Sequence, residues 1–591
     1  MTILDQLKGL VLKALMQLYG VQEEKKNITV NQTKPEFEGD YAVVLFSFVK
    51  QLKKSPDVLG KEIGDWLVGN SNGIIKNYNI IKGFLNLTIS DHYWIAFLDK
   101  NYNNPLYGSS TQKKQNVMVE YSSPNTNKPL HLGHLRNNFL GWSVAEIYKS
   151  NGYDIVKTCI VNDRGIHICK SMIAWQLFGD GATPESTGIK GDHLVGDYYV
   201  KFNDEYKGQV EKLIVEGMNK ADAEKEAPIM KAAQQMLVDW EAAKPEVMEL
   251  WQKMNEWVYA GFNETYKRIG SNFDKTYYES KTYLLGKNAV EEGLKKNVFY
   301  KKEDGSVWID LTADGLDEKL LLRKDGTSVY ITQDIGLAMQ KFDEFKMDQS
   351  IYVVGDEQNY HFKVLQLICK KLQLPYADQI YHLSYGMVEL PTGRMKSREG
   401  TVVDADDIIT EMEKVAKQKT EELGKVKDFS EQELKDLYHI IGVGALKFFL
   451  LRVDPKKKMV FNPEESIDFH GFTAPFIQFN HARIKSILRK NNIENNINVN
   501  SDLMKLEKDL IIVLEQYCLI VEQSCTEMNP SVIAIFIYHL AKTFSSFYTE
   551  HSIANAETEE KKQLRLKLSS MTANVIKHGM NLLGIEVPER M

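Results

Sequence analysis

Alternating apolar positions Val117, Val119 and Tyr121 predict a strand, and the polar run Ser122 to Pro129 has turn chemistry. A helical pattern follows from about Gly133, with Leu135, Phe139, Trp142 and Ile147 on one side. Alternation returns in YDIVKTCIVND (153–163), giving a βαβ unit with parallel strands and a right-handed crossover. The stretch from about 168 to 322 carries mostly helical patterns and reads as an insertion. Beyond it SVYIT (328–332) reads as a strand, followed by a helix from Asp334, strand QSIYVVG (349–355), helix NYHFKVLQLICKKL (359–372) and strand QIYHLSYG (379–386). Two stretches of parallel sheet around an insertion predict a doubly wound, Rossmann-type sheet. Its ligand belongs in the crevice beyond the carboxyl ends of the strands.

Two further regions flank this core. Residues 1–110 read as a small α/β module: a helix over Leu4–Tyr19, a helix restarting at Ser55-Pro56, and a strand in GFLNLTI (83–89). The residues alone favour a packing appendage there. The alternative is a nucleic-acid contact through Phe84, Asn86 and exposed lysines. A polar linker from Leu98 to Gln115 leads into the core, taken as 116–403. After PTGRMKSREGTVV (391–403), residues 404–591 show helical patterns without strand alternation and predict an all-α bundle. The expected fold is therefore multidomain α/β.

Composition narrows the class. The 591 residues are 43% hydrophobic and 26% charged, ordinary for a soluble protein, and no apolar run is long enough for a membrane helix. Five scattered cysteines without a C-x-x-C pair predict a reducing, cytoplasmic setting and no structural zinc. The net charge of −7 means that nucleic acid, if bound, must meet local basic surfaces.

No P-loop or well-placed G-x-G-x-x-G is present. The phosphate-binding candidates are His131-Leu132-Gly133-His134 at a helix start and the basic loop Arg394-Met395-Lys396-Ser397-Arg398. At a helix start, backbone N–H groups, the dipole and imidazole donors can converge on phosphate oxygens, and Gly133 keeps the approach open. Each motif alone has an ordinary explanation, a helix cap or a solvated turn. Together they follow the first and last strands of one sheet, which places them on one crevice.

These motifs, with Glu120-Tyr121-Ser122-Ser123-Pro124-Asn125, Lys128-Pro129, DGTSVYITQDI (325–335), VGDEQNYHF (354–362) and APFIQFNHARI (474–484), give the chain a resemblance to the class I aminoacyl-tRNA synthetases, specifically the arginyl family. The resemblance spans essentially the whole chain. It implies ligation of L-arginine to its tRNA through an adenylate, with ATP and Mg2+ and no dedicated protein metal site. It also implies an N-terminal tRNA-contacting domain, an anticodon-binding bundle and a monomer. His131, His134, Lys128, Lys396 and Arg398 would serve catalysis, and Gly133, Gly355, Met387, Val388 and Ser397 would join the histidines around ATP. Glu120, Ser123, Asn125, Tyr330, Asp334 and Gln358 would form the arginine pocket, and Asn86, Arg483, Lys485 and Arg489 would meet tRNA. A guanidinium, with five donors and a permanent charge, calls for such carboxylates and an aromatic wall. Either Glu120 or Asp334 can take it on this reading.

The family's KMSKS loop departs here, with Arg394 and Ser397 at its lysine positions. Lys128, just before the histidine motif, is expected to supply the missing charge. A small-molecule nucleotidyltransferase would lack the long helical domain after the basic loop. A non-catalytic tRNA-binding paralogue would be expected to lose the histidines or the pocket acids.

Overall fold

The computed structural model describes residues 2–34, 36–389, 403–422, 424, 428–494 and 502–591. The central sheet has five parallel strands in the order Ile380–Tyr385, Gln349–Gly355, Asn116–Glu120, Asp154–Val161, Lys275–Tyr278. The first strand in sequence stands centrally, so the switch point lies between Asn116–Glu120 and Gln349–Gly355. Ligand crevices open there because neighbouring crossovers leave on opposite faces. The helix Leu132–Ser150 leaves from that point and is buried nearly all round, as expected for a helix held between the sheet and another layer.

Two sequence expectations need correction. Residues 328–332 are not a strand, because the helix Tyr330–Phe345 begins inside them. Ile331, Ile335 and Ala338 recur at helical spacing and are buried, and this outweighs a five-residue alternation. Asp334 consequently lies one turn inside the helix rather than at its start. The stretch 168–322 carries its long helices up to Arg268, with the shorter Glu279–Thr282 and Gly286–Lys295 beyond. It then contributes the edge strand Lys275–Tyr278 to the parallel sheet and a three-stranded antiparallel sheet over 300–322. The edge strand is only four residues long, too short for its alternation to stand out.

The N-terminal module has a four-stranded antiparallel sheet covered by helices Ile3–Tyr19 and Pro56–Asn70. Ser55 caps the latter with Pro56 in its first turn, as the sequence predicted. The C-terminal region contains the helices Glu431–Leu451, Ala474–Lys490, Lys505–Glu527, Ser531–Glu550 and Glu559–Leu582. Several of them pack on Leu132–Ser150. Ser143 donates to the Leu582 carbonyl (2.7 Å) across that contact. The helical region is therefore seated on the same helix that carries the histidine motif. Among the described residues no helix is long and apolar enough to cross a membrane.

Candidate active site

His131 precedes the first turn of Leu132–Ser150, and its Nδ1 accepts the Gly133 N–H at 3.1 Å. His134 Nδ1 accepts the His131 N–H at 3.2 Å, so the two imidazoles cap the helix reciprocally. Their rings stack 3.8 Å apart. With each Nδ1 accepting, the proton of each neutral ring is assigned to Nε2. Burial, with Lys128 and the neighbouring ring adding to it, pushes His131 down to about 3 and His134 well below the usual range. Both are neutral donors at physiological pH. A Cβ on Gly133 would lie 3.0 Å from the His131 ring, so glycine is what lets that ring cover the helix start. The capping and phosphate-binding readings thus coincide: caps are made by Nδ1, leaving Nε2–H for a ligand.

A cavity of about 260 Å³ opens beside the motif, lined by Lys128, Leu130, His131, His193, Tyr199 and Asp404. Burial lowers the Lys128 ammonium from its ordinary value. Such a cation gains most from a phosphate anion arriving in the same cavity. Lys396, Ser397 and Arg398 lie outside the described residues, but both flanks of their segment rest against the histidine helix. On one side Leu132 donates to the Val403 carbonyl (3.3 Å) and Ala405 to the Leu130 carbonyl (3.0 Å). On the other, Arg136 reaches the Met387 carbonyl at 3.4 Å. Val388 is buried and pairs with Met459, and Gly355 sits near the Met387 sulfur, at the sheet's carboxyl edge. Asp404 and Asp406 are held by His193 (3.2 and 3.4 Å), and Asp406 also by Lys190 (2.7 Å). This raises His193 to about 10 and keeps it cationic.

The second half of the crevice is acidic. Tyr330 and Asp334, four residues apart, share one helix face, and Tyr330 is 76% exposed. Asp334 pairs with His361 Nε2 at 2.6 Å. Glu279, the first residue after the edge strand, faces Arg164, Asp163 and Asp334. Burial, opposed by Arg164, raises its carboxyl to about 7. Gly336 and Gly286 bring their helices together here: a Cβ on Gly336 would lie 2.4 Å from the Gly286 nitrogen. Gln358 is exposed at the start of the next helix, and Ser123 and Asn125 are exposed on the loop after the first strand. Asn125 bridges to Asn162. Glu120 differs from expectation. It is buried and ion-paired with Lys341, itself fully buried on the Tyr330–Phe345 helix. A carboxylate already balanced by a cation has little charge left for a guanidinium, which favours Asp334 and Glu279 for that task. Glu279, His361 and Lys341 were missed in the sequence. Only His361 sat inside a quoted motif, and Glu279 was hidden behind the unrecognised strand.

The residues expected to meet tRNA separate. Arg483 and Arg489 line a groove of about 1120 Å³ together with Phe479, Lys490 and Tyr548. The Arg483 guanidinium lies over both the Phe479 and Tyr548 rings, at 4.8 and 5.0 Å. Lys485 instead pairs with Glu589 (3.2 Å), and Phe476 packs against Tyr538. Asn86 is corrected: it is 2% exposed, donating to Asn79 Oδ1 (2.8 Å), because the Gly39 turn lies against it on the face opposite Leu85 and Leu87. The exposed surface nearby is Phe84, edge-on to exposed Phe46.

A sheet of this order, interrupted by a helical insertion and continued by a helical domain seated on its nucleotide-side helix, has the build of a class I aminoacyl-tRNA synthetase. Residues 99–462 match the family model "tRNA synthetases class I (R), catalytic domain". Residues 477–591 match the DALR anticodon binding domain, and 5–89 the arginyl tRNA synthetase N terminal domain. Curated arginine–tRNA ligases of Bacteroides thetaiotaomicron and Flavobacterium psychrophilum are 52% and 51% identical, with full coverage of both chains. The solved arginyl-tRNA synthetase of Thermus thermophilus shares the fold over both full chains, with a TM-score of 0.78 at 22% identity. The chain belongs to the arginyl-tRNA synthetase family.

Proposed function

We infer that this chain joins L-arginine to its tRNA at the cost of ATP, through arginyl-adenylate, with release of pyrophosphate and AMP. The observation that carries the reading is the convergence on one sheet edge of two neutral histidine donors and an acidic, half-buried pocket. ATP lies with its phosphates toward His131, His134 and Lys128 and its nucleoside toward Gly355, Met387 and Val388. Arginine enters with its guanidinium toward Asp334, Glu279 and Tyr330. Ser123, Asn125 and Gln358 stand at the mouth to hold its α-amino and carboxylate groups. The carboxylate attacks the α-phosphate in line, and the terminal ribose hydroxyl of tRNA then attacks the activated carbonyl. Neither step needs a side-chain nucleophile, so the protein contributes positioning and charge stabilisation.

Mg2+ enters with ATP, held by phosphates and water. Asp192, His193 and Asp406 converge closely enough to suggest a metal. Lys190 already bridges the two carboxylates (3.1 and 2.7 Å), and so cationic a surrounding does not fit a second cation. The tRNA reaches from the N-terminal module, at 1–110, across the catalytic region at 116–403, to the basic groove of 404–591. There Phe479 and Tyr548 offer stacking faces beside Arg483 and Arg489. The five cysteines are free thiols, four of them buried, which suits a monomer working in the reducing cytoplasm.

The deciding experiment is tRNA charging with each amino acid in turn. Arginine is accepted, whereas lysine and citrulline, which lack the charged planar fork, are rejected. Equal charging of lysine or citrulline overturns the pocket assignment.

A further inference from the structure

The mechanism above leaves Arg136 unused, although it is among the largest fully buried side chains of the molecule. It lies two residues after His134. Its guanidinium donates to three backbone carbonyls: Lys457 (2.8 Å), Pro455 (3.2 Å) and Met387 (3.4 Å). Burial lowers it only to about 10, so it remains a cation. A buried guanidinium is costly to desolvate, and here three carbonyls hold it directly while Asp356 and Asp454 act on it from further off. A neutral apolar residue could fill the space, so its retention points to what those carbonyls belong to. Met387 borders the nucleotide side. Pro455 and Lys457 follow the helix Glu431–Leu451 within the helical region.

That joint is tight. Pro455 also accepts the Gly386 N–H (2.9 Å), and a Cβ on Gly386 would lie 2.8 Å from the Lys457 backbone. The neighbouring Asp454 carboxylate accepts from Asn529 Nδ2 at 3.2 Å. Asn529 forms the corner between the helices Lys505–Glu527 and Ser531–Glu550, where its Oδ1 accepts the Ser531 N–H (3.1 Å). Helix Ser531–Glu550 carries Tyr548, which lines the basic groove against Arg483. An unbroken series of contacts therefore runs from the groove through Asn529, Asp454 and the 455–457 carbonyls to Arg136 and the His134 turn.

We propose that Arg136 is a positioning residue that couples RNA occupancy of the basic groove to the geometry of the His131–His134 helix start. This rests on the groove being the anticodon-arm site proposed above. Movement of the groove helices shifts the 455–457 backbone, and Arg136 transmits that shift to its helix and to Met387.

The test compares arginine-dependent ATP–pyrophosphate exchange supported by full-length tRNA and by an RNA lacking the anticodon arm, each at saturation. In the unmodified enzyme the full tRNA is expected to be faster by about tenfold or more, an ordinary coupling magnitude. Arg136→Met is expected to bring that ratio close to one while full-length tRNA still binds with near-normal affinity. Arg136→Lys, which keeps the charge but not the fork, retains part of the ratio. Asn529→Ala, at the far end of the series, lowers the ratio without changing the rate on the truncated RNA. A purely structural Arg136 would slow both RNAs equally and leave the ratio intact. That outcome overturns the proposal, as does an unmodified enzyme with a ratio near one or an Asn529→Ala ratio that does not fall. Failure of both RNAs to support any exchange would instead overturn the functional reading itself.

Discussion

Glu279 offers a quantitative check on the acidic pocket. Its carboxyl stands near 7 rather than at its ordinary 4.5, chiefly because it is buried, with Asp163 and Asp334 adding repulsion against the relief given by Arg164. A folded-state value above the unfolded one means that the protonated form suits the fold. Ionised Glu279 costs stability that builds up as pH rises from 4.5 to about 7, reaching about 3 kcal/mol at most. An arriving guanidinium offsets that cost, so arginine binding should expel the proton. At pH 6 about one molecule in eleven carries the ionised form, and at pH 8 about ten in eleven. Arginine affinity is therefore expected to rise about tenfold between these values. Titration calorimetry at pH 7 in buffers of different ionisation enthalpy should show about half a proton released per arginine from this group. His361, bonded to Asp334, lies in the same pocket, so the readout is the difference between the unmodified enzyme and Glu279→Gln. The variant should bind arginine more weakly at pH 8 and lose this part of the slope and of the proton release. A pH slope and proton release identical in the two proteins would refute the reasoning.

Two further perturbations probe the remaining assignments. Lys128→Ala should cut ATP–pyrophosphate exchange, measured with tRNA present, by about 100-fold or more, the scale of removing a preorganised charge-stabilising group. Near-normal exchange would mean that the charge on the phosphates comes from elsewhere. Lys341→Met strands a buried carboxylate at Glu120 and should destabilise the protein by about 3–5 kcal/mol, measured by denaturant unfolding. Adding Glu120→Gln to it should restore most of the loss. If Glu120→Gln alone abolishes arginine binding while leaving stability unchanged, Glu120 is a ligand rather than a structural partner.

The local motifs were legible because they obey short-range rules. A helix start accepts the residues that cap it, and the H-L-G-H run announced its position. The Arg483 cluster was readable for a similar reason, as cations and aromatics recur along one helix, although Lys485 turned toward Glu589 and Phe476 into the bundle. Tyr330–Phe345 was misread at its beginning because a bridged Ser328, an extended Val329 and three residues of helix imitate a short alternation. The edge strand Lys275–Tyr278 was missed since four residues carry almost no periodic signal.

The sequence by itself determined most of the succession of strands and helices, the crevice they imply, and residue types suited to phosphate and guanidinium. Only the tertiary structure decided which carboxylates are free to act. Glu120 and Asp334 are equivalent in one dimension, but Lys341 is 221 positions from Glu120 and neutralises it, while Glu279, on the short helix Glu279–Thr282, acts on Asp334 through space. It also decided that Asn86 is covered by the Gly39 turn and that Arg136 ties the histidine helix to the helical domain. The physical reason is common to these cases. Periodicity, capping and turn preference act over a few residues and can be read from the chain. Charge compensation and desolvation depend on neighbours brought together by folding, and their outcome belongs to the packed structure.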